Sequence, residues 1–535
     1  MRTMRTMRTP SIRLSFLPAS LFGGLFLSLW MAAPANAQAP TPAPTSDAPP
    51  ADDADGDAAG DAAELAPTPA GPEAPVGRND GPPTDDRFVN APADASHARV
   101  DDWWTRFGDA RLDDLVETGL RQNYDLASAD ARIEESQAVV KQNLAPLLPT
   151  LSWDSTITMA PTDSLGFQFG GSVGGQVDPM TGMPIEVPNL YWTGSSALKA
   201  GLAIDLSGRD VVAYKAAKRD VEAAELDRES TSLRLVGSIV GAYYDVVAAE
   251  EQLRIVEKQL ETSRGLLEVM ELRFAAGQVT GVDVLQQRQQ VASTEVLLPQ
   301  ARRQVATFEQ QLAVLMGERP RADFEVAPAL PDLPSTPGLG TPSDLAQHRP
   351  DLVALRARKD SAEYRVKNAK RQYVPTLNLQ AQAGVQAIRI TELNSQWYWN
   401  AGATLSVPLY QGGRRHSTIR QRQAQSRQAE VQLDSSSLTA VREVEDALVY
   451  EREQGEALAI YQRQVEAADA AFEAAKQRYL DGDGDYLTVL NALNTQRQAE
   501  LNVVTARRDL IGARINLHQA LGDGAATAAA ASRQG

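Results

Sequence analysis

LVGSIVGAYYDVVAAEEQLRIVEKQLETSRGLLEVMELRF, residues 235–274, is the stretch that decides the fold. Leu235, Ile239, Ala242, Val246, Ala249, Leu253, Val256, Leu260, Leu267, Met270 and Phe274 follow alternating steps of three and four, broken only at Ser263. That is a coiled-coil seam sustained for more than five heptads. It lies within 209–276, a run of 68 residues without proline; 413–480 is a second run of the same length. Each predicts a helix of roughly 100 Å at the usual rise per residue, too long for an ordinary globular domain.

After each long run comes a glycine-bearing turn and a shorter helical segment, about 281–316 and about 485–521. Pro299 should kink the first of these. Helices of roughly 22 residues are expected from Asn123 and Pro350. Placed end to end, a shorter helix of each kind nearly matches a long one, so each half of the chain offers one continuous and one broken rod.

The two halves read as copies. Residues 236–317 superpose on 441–522 at an offset of 205, carrying Arg273, Gly277, Val284, Leu285, Arg303 and Gly317 onto Arg478, Gly482, Val489, Leu490, Arg508 and Gly522. An earlier block, Asp125, Leu126, Ala131, Arg132, Pro149, Thr150 and Leu151, recurs at an offset of 226 as Asp351, Leu352, Ala357, Arg358, Pro375, Thr376 and Leu377. The 21-residue difference is an insertion in the first copy, at the Gly- and Pro-rich 163–189, expected to be an extracellular loop.

Two strands per copy alternate with period two: 150–159, 197–206, 376–387 and 397–409. Leu377, Leu379, Ala381, Ala383 and Val385 share one face, and Asn378, Gln380, Gln382 and Gln386 the other. Segments of about ten alternating residues suit a half-buried sheet or an outer-membrane barrel. Four strands cannot close a barrel, because the smallest use about eight. Open edges are forbidden in lipid, so the chain must oligomerise. Three copies give twelve strands.

Composition agrees with export. Arg2, Arg5, Arg8 and Arg13 precede a mostly apolar 14–33 and the small-x-small site Ala35-Asn36-Ala37, so 1–37 reads as a signal peptide. Residues 38–86 hold eleven acids against one base and should be a disordered acidic leader. Residues 523–535 form a similar tail. No later stretch is apolar for long enough to make a membrane helix. The net charge of -17 argues against nucleic-acid binding. With no cysteine there is no thiolate site, no disulfide and no acyl anchor on an N-terminal cysteine. His97, His348, His416 and His518 are not at metal-ligand spacing. No nucleophile, base and orienter are recognisable and no phosphate loop is present, so neither an enzyme nor a cofactor is expected.

The sequence resembles the TolC-like outer-membrane factors of tripartite efflux pumps, in the nodulation-T-type branch of RND efflux channels. The resemblance rests on Asp102-Trp103-Trp104, Asn123-x-Asp125-Leu126, Pro149-Thr150-Leu151, Arg349-Pro350-Asp351-Leu352, Gly412-Gly413, and Arg478-Tyr479 through Leu490. It implies a mixed fold: a homotrimeric twelve-stranded barrel in the outer membrane of a Gram-negative bacterium, continued by a periplasmic α-helical barrel. It also implies an equatorial belt built from 87–122 and the linker 318–345, between a first unit, 123–317, and a second, 346–522. The implied partners are outer-membrane lipid, a periplasmic adaptor and an inner-membrane transporter of RND or ABC type. The chain would be a passive exit duct for the transporter's cargo. Export of polypeptides beside an ATP-driven transporter is an alternative, as is a periplasmic coiled-coil scaffold, which leaves the four amphipathic strands unexplained.

The turns between long and returning helices should be the periplasmic tip. Asp481-Gly482-Asp483-Gly484-Asp485-Tyr486-Leu487 resembles the start of a calcium loop, but Tyr486 replaces its glycine and Ala492 its glutamate. The expected role is an acidic constriction of Asp481, Asp483 and Asp485, joined by Asp283 from the first copy. Leu487 matches the family's hydrophobic ring. Asn491 stands where relatives often carry an aspartate.

Overall fold

A computed structural model describes residues 87–91, 102–161, 180, 190–387 and 396–524. All belong to one compact unit, Gly77–Gly535; the other unit, Met1–Val76, lies outside the described residues, as do the expected signal peptide, acidic leader, 163–189 insertion and most of the tail.

Eight α-helices, two short 3-10 turns (Trp103–Phe107 and Ala145–Leu147) and four strands are described. In chain order the α-helices and strands are α1 (Ala110–Gln122), α2 (Tyr124–Leu144), β1 (Thr150–Pro161), β2 (Leu190–Ile204), α3 (Arg209–Ala275), α4 (Gly281–Leu315), α5 (Pro342–His348), α6 (Pro350–Arg371), β3 (Thr376–Ala387), β4 (Gln396–Ser406), α7 (Arg414–Leu480) and α8 (Tyr486–Leu521). Both long helices have 67 residues. The α3 seam is buried from Leu235 through Met270, with Leu253 and Leu267 only partly so. Ser263, which breaks the heptad series, is also buried there, and Gln287 donates to its carbonyl oxygen at 2.5 Å. Phe274 departs from expectation. It is half exposed, because the helix ends one residue later and Gly277 turns the chain at φ +70°. Pro299 lies inside a continuous α4, where its missing N–H leaves one carbonyl of the preceding turn without its helical donor.

The strands pair antiparallel in the order β1-β2-β3-β4. β2 starts at Leu190 rather than 197, because β1 runs on to Pro161 and pairs with it there. It ends at Ile204, where Asp205 leaves the sheet to begin α3. β4 stops at Ser406, two residues before Pro408, which has no N–H for a ladder. The register aligns Trp153 with Leu198, Leu198 with Ala383 and Ala383 with Trp399, so the apolar residues of all four strands share one face. That face is uncovered: Trp153 is 72% exposed and Trp397 75%. The opposite face carries Asn378, Gln380, Gln382 and the ion pair Lys199–Asp154 at 3.2 Å.

Asp205 starts α3 by accepting the backbone N–H groups of Arg209, Asp210 and Val211 at 2.8, 2.9 and 3.1 Å. Burial alone would raise its carboxyl pKa, but these three donors hold it below the ordinary carboxylate value. The second long helix has no such carboxylate, although both long helices open on a glycine of positive φ, Gly208 at +65° and Gly413 at +77°.

α3 is the central rod. α2 and α6 flank it nearer the sheet, α4 and α8 farther away, and α7 lies beyond α6 and α8. Small residues make the upper seam: Ala216, Ala217 and Ala223 of α3 and Ala354, Ala357 and Ala369 of α6 are buried. Ser361 donates across it to the Ala216 carbonyl at 3.1 Å. Larger side chains fill the mid-height core. Trp103, Leu112, Val116, Ile239, Tyr243, Val247, Leu312 and Met316 form one cluster, and the Trp103 ring stacks on His518 at 4.7 Å. Phe88 enters a second cluster with Leu345, Leu352, Val444 and Leu517, while Glu445 accepts the N–H groups of Val89 and Asn90.

Candidate functional site

Two features bear on function: the joints at which short helices stack, and the tip where the hairpins turn. Both broken rods are closed by a side chain at the start of the upper helix. Asn123 donates to the Leu315 carbonyl at the end of α4 at 2.9 Å, while its oxygen accepts the N–H groups of Asp125 and Leu126. Arg349 donates to the Ala520 carbonyl at the end of α8 at 3.0 Å, and to Glu443 and Asp351 at 2.7 and 2.8 Å. The capped carbonyls are the negative end of one helix, and Asn123 caps the positive end of the next. The sequence singled out both positions, 226 residues apart, but only as motif residues without a role.

The tip has its own core. Met270, Val284, Phe472, Tyr479, Tyr486, Val489 and Leu493 form a buried cluster that joins both hairpins. Tyr486 is therefore a packing residue, and its hydroxyl donates to the Gln287 side chain. Burial, reinforced by Tyr479 and Asp283, pushes its pKa up to about 12. Arg273 crosses between hairpins. It donates to the carbonyls of Tyr479, at 2.8 Å, and Leu480, and its guanidinium lies 5.2 Å from the Tyr479 ring centre. Its counterpart Arg478 reaches only its own loop, at the Asp483 carbonyl. Both turns close alike: Gln278 N–H donates to the Arg273 carbonyl and Asp483 N–H to the Arg478 carbonyl, each at 2.9 Å. Arg273, Gln287 and Tyr479 were missed as site residues, although the recurrence of arginine at 273 and 478 was a signal for the first.

The expected constriction residues fall into distinct settings. Asp481, Asp483 and Asp485 are all exposed; Asp481 accepts from Gln477 at 3.1 Å. Asp283 is engaged differently. Its carboxylate accepts the Thr280 N–H and hydroxyl at 2.9 and 2.8 Å, a capping box that starts α4. Leu487 and Asn491 are one turn apart on the exposed side of α8, opposite Tyr486, Val489 and Leu493, and Leu487 is 52% exposed. Among the described residues no three His, Asp or Glu side chains are placed to hold a metal ion. No described helix is long and apolar enough to cross a membrane.

This architecture has known relatives. The chain is 30% identical over 79% of its length to the pyoverdine export outer membrane protein OpmQ of Pseudomonas aeruginosa, covering 88% of that protein. It is 25% identical to the toluene efflux pump outer membrane protein TtgF of Pseudomonas putida, over 79% of this chain and 85% of the relative. The structure of the outer-membrane channel OprN superposes with a TM-score of 0.70 at 25% identity, over 84% of this chain and 99% of that one. VceC from Vibrio cholerae, 24% identical, shares the fold with a TM-score of 0.68, over 80% of this chain and all of that one. Residues 115–318 and 341–523 match the outer membrane efflux protein family, and the chain is a member of that family, a TolC-like efflux channel protein of the outer membrane.

Proposed function

We propose that three copies of this chain, each built from two copies of one unit, join edge to edge into a single passive exit duct. A twelve-stranded barrel would cross the outer membrane and a wall of long helices would cross the periplasm. One observation carries this reading: the four-stranded sheet exposes most of its apolar face, including Trp153, Ile157, Trp397 and Trp399, and β1 and β4 have no outer neighbour among the described residues. Lipid tolerates such a face only on a closed barrel. The duct would receive cargo from an inner-membrane transporter of RND or ABC type through a periplasmic adaptor. Relatives named for pyoverdine, toluene and antibiotic efflux favour small organic cargo, chosen by the transporter.

The absence of native cysteine makes a clean test. Thr156→Cys in β1 and Asn400→Cys in β4 each sit six residues from the end of their strand nearest the helices, on the polar face. A short bis-maleimide applied to the double variant in cells should give covalent dimers and trimers on a denaturing gel. Each single variant should remain monomeric. Monomer alone from the double variant would refute edge-to-edge closure.

The tip would be the entrance. Three copies bring nine carboxylates from Asp481, Asp483 and Asp485 around the axis, and a low-dielectric wall focuses their field. Asp283 contributes charge while holding its cap. Replacing the three exposed acids by Asn should lower the cation selectivity of the reconstituted channel and flatten its salt dependence. Leu487→Ser should instead raise conductance by loosening an apolar ring. Unchanged selectivity in bilayer recordings of the triple variant would mean that the acids point away from the pore.

A further inference from the structure

The helices are basic where they meet the sheet. The fifteen residues adjoining each strand on the helix side, 135–149, 205–219, 361–375 and 407–421, hold twelve Lys and Arg against four Asp and Glu, in a chain of net charge -17. Only Arg209, Arg219 and Arg365 of the twelve have a carboxylate within salt-bridge range among the described residues. Between this collar and the strands lies a band of exposed apolar and aromatic residues, including Leu148, Leu206, Tyr373, Leu409 and Tyr410, with Leu409 92% exposed. The sequence of layers is thus apolar sheet face, amphipathic band, basic collar.

The collar contains a cavity. It measures about 700 Å³, and Gln137, Val140, Lys141, Lys215, Lys218 and Tyr364 line it. The lysine stems and the two-carbon branch of Val140 give it apolar walls, and three ammonium groups stand at its margin. Two acids, Glu222 and Glu225, are also in the lining beside a fourth base, Arg219, which engages Glu222 at 2.5 Å, so the lining holds four bases against two acids. Lys218 lies 4.9 Å from the Tyr214 ring centre, and Lys367 5.0 Å from that of Tyr364. Steps of three and four lead along α3 from Lys215 and Lys218 to Val236, Ile239 and Tyr243, the stripe that α1 and the Trp103 turn cover. In a closed duct that covering layer lies outside, since inside it would block the lumen. The cavity therefore opens toward the surroundings of the wall.

We propose that this collar binds the phosphate headgroups of anionic phospholipids in the periplasmic leaflet, with the Lys141–Lys215–Lys218 cavity as one of its seats. The inference rests on the barrel reading above. The headgroup layer extends about 5–8 Å beyond the hydrocarbon on each side. The collar begins about one to two helical turns below the strands at Arg209, Arg371 and Arg414, whose long side chains extend toward the interface, and Lys141 and Lys215 of the cavity follow about one to two turns deeper. Charge complementarity selects an anionic over a zwitterionic headgroup, at about fivefold per basic residue near the surface.

Native mass spectrometry of the detergent-solubilised protein, with phosphatidylglycerol and phosphatidylethanolamine added in equal amounts, tests the proposal. The wild type should retain phosphatidylglycerol preferentially. Lys141→Gln/Lys215→Gln/Lys218→Gln should lose roughly a hundredfold of that preference. An equal charge change on the lower helices, Lys258→Gln/Arg264→Gln/Arg302→Gln, should leave it intact. Equal retention of both lipids by the wild type, or the same loss in both triple variants, overturns the proposal. Displacement of the lipid by inorganic phosphate at matched ionic strength overturns the lipid assignment. The same spectra report the oligomer mass, so failure to assemble is visible separately from loss of lipid.

Discussion

Replacing Gly384 by valine should abolish assembly of the proposed barrel. Gly384 lies directly opposite Ala197 on the polar face of the sheet. A Cβ at 384 would lie 2.6 Å from both the Cα and the Cβ of Ala197, and would also strike the Ser196 carbonyl oxygen. Opposed Cβ atoms in ordinary antiparallel pairs stay about 4.5–5.5 Å apart. β2 and β3 therefore roll toward each other on this face, the bend that a closing sheet needs and that glycine permits. Valine would collide with backbone, which has nowhere to rotate, so the cost should exceed the about 1–3 kcal/mol of ordinary overpacking. Gly402 supplies the control. It lies on the same face, with nothing within 4 Å of the place where its Cβ would be. Gly402→Val should give a normal heat-modifiable oligomer band from outer-membrane fractions, and Gly384→Val none. Equal bands from the two variants would show that the sheet does not need this bend.

Gly384 also shows where sequence reading stops. Alternation along 376–387 gave the strand to the residue, because the period-two signal is local. That signal does not say which of several strand glycines marks a bend, which depends on the neighbouring strand. The long helices were legible for the same reason as the strands, through heptad steps and the absence of proline. Their ends were legible through glycines whose positive φ only glycine adopts without strain. What escaped were contacts between segments far apart in the chain. Arg273 reaching the carbonyls of Tyr479 and Leu480 leaves no local pattern, and neither does Asn123 reaching Leu315. At the tip the acids were read as one group, yet Asp283 is committed to a helix cap. The cap was visible in Thr280-x-x-Asp283, a form of the capping box with aspartate in place of glutamate.

The second large effect is expected at Arg514. Its side chain is 2% exposed and serves three elements at once. It makes a two-point pair with Glu451 of α7 at 2.6 and 2.8 Å, and donates to the carbonyls of Pro334 and Ser335 in the linker at 2.6 and 2.8 Å. One residue thus fastens the linker to both helices of the second hairpin. The position 205 residues earlier, Glu309, is also buried. It serves the other part of the linker with the opposite polarity, accepting the Phe324 N–H at 3.3 Å. Arg514→Met keeps the bulk but orphans a carboxylate that is only 15% exposed, together with two carbonyls. Breaking a buried pair from one side costs about 3–5 kcal/mol, a large share of the about 5–15 kcal/mol that stabilises a typical domain. The variant should melt markedly earlier by far-ultraviolet circular dichroism and be cut by trypsin in the linker, at Arg319 or Arg321, under conditions that spare the wild type. Arg514→Met/Glu451→Leu should recover part of the loss, since it removes the orphaned charge. The remaining deficit belongs to the two linker carbonyls, at about 1–3 kcal/mol each. A single variant that melts with the wild type and resists trypsin would mean that the apolar cluster around Trp103 and Phe324 holds the linker unaided. A double variant no more stable than the single would place the loss in the carbonyl contacts and not in the ion pair.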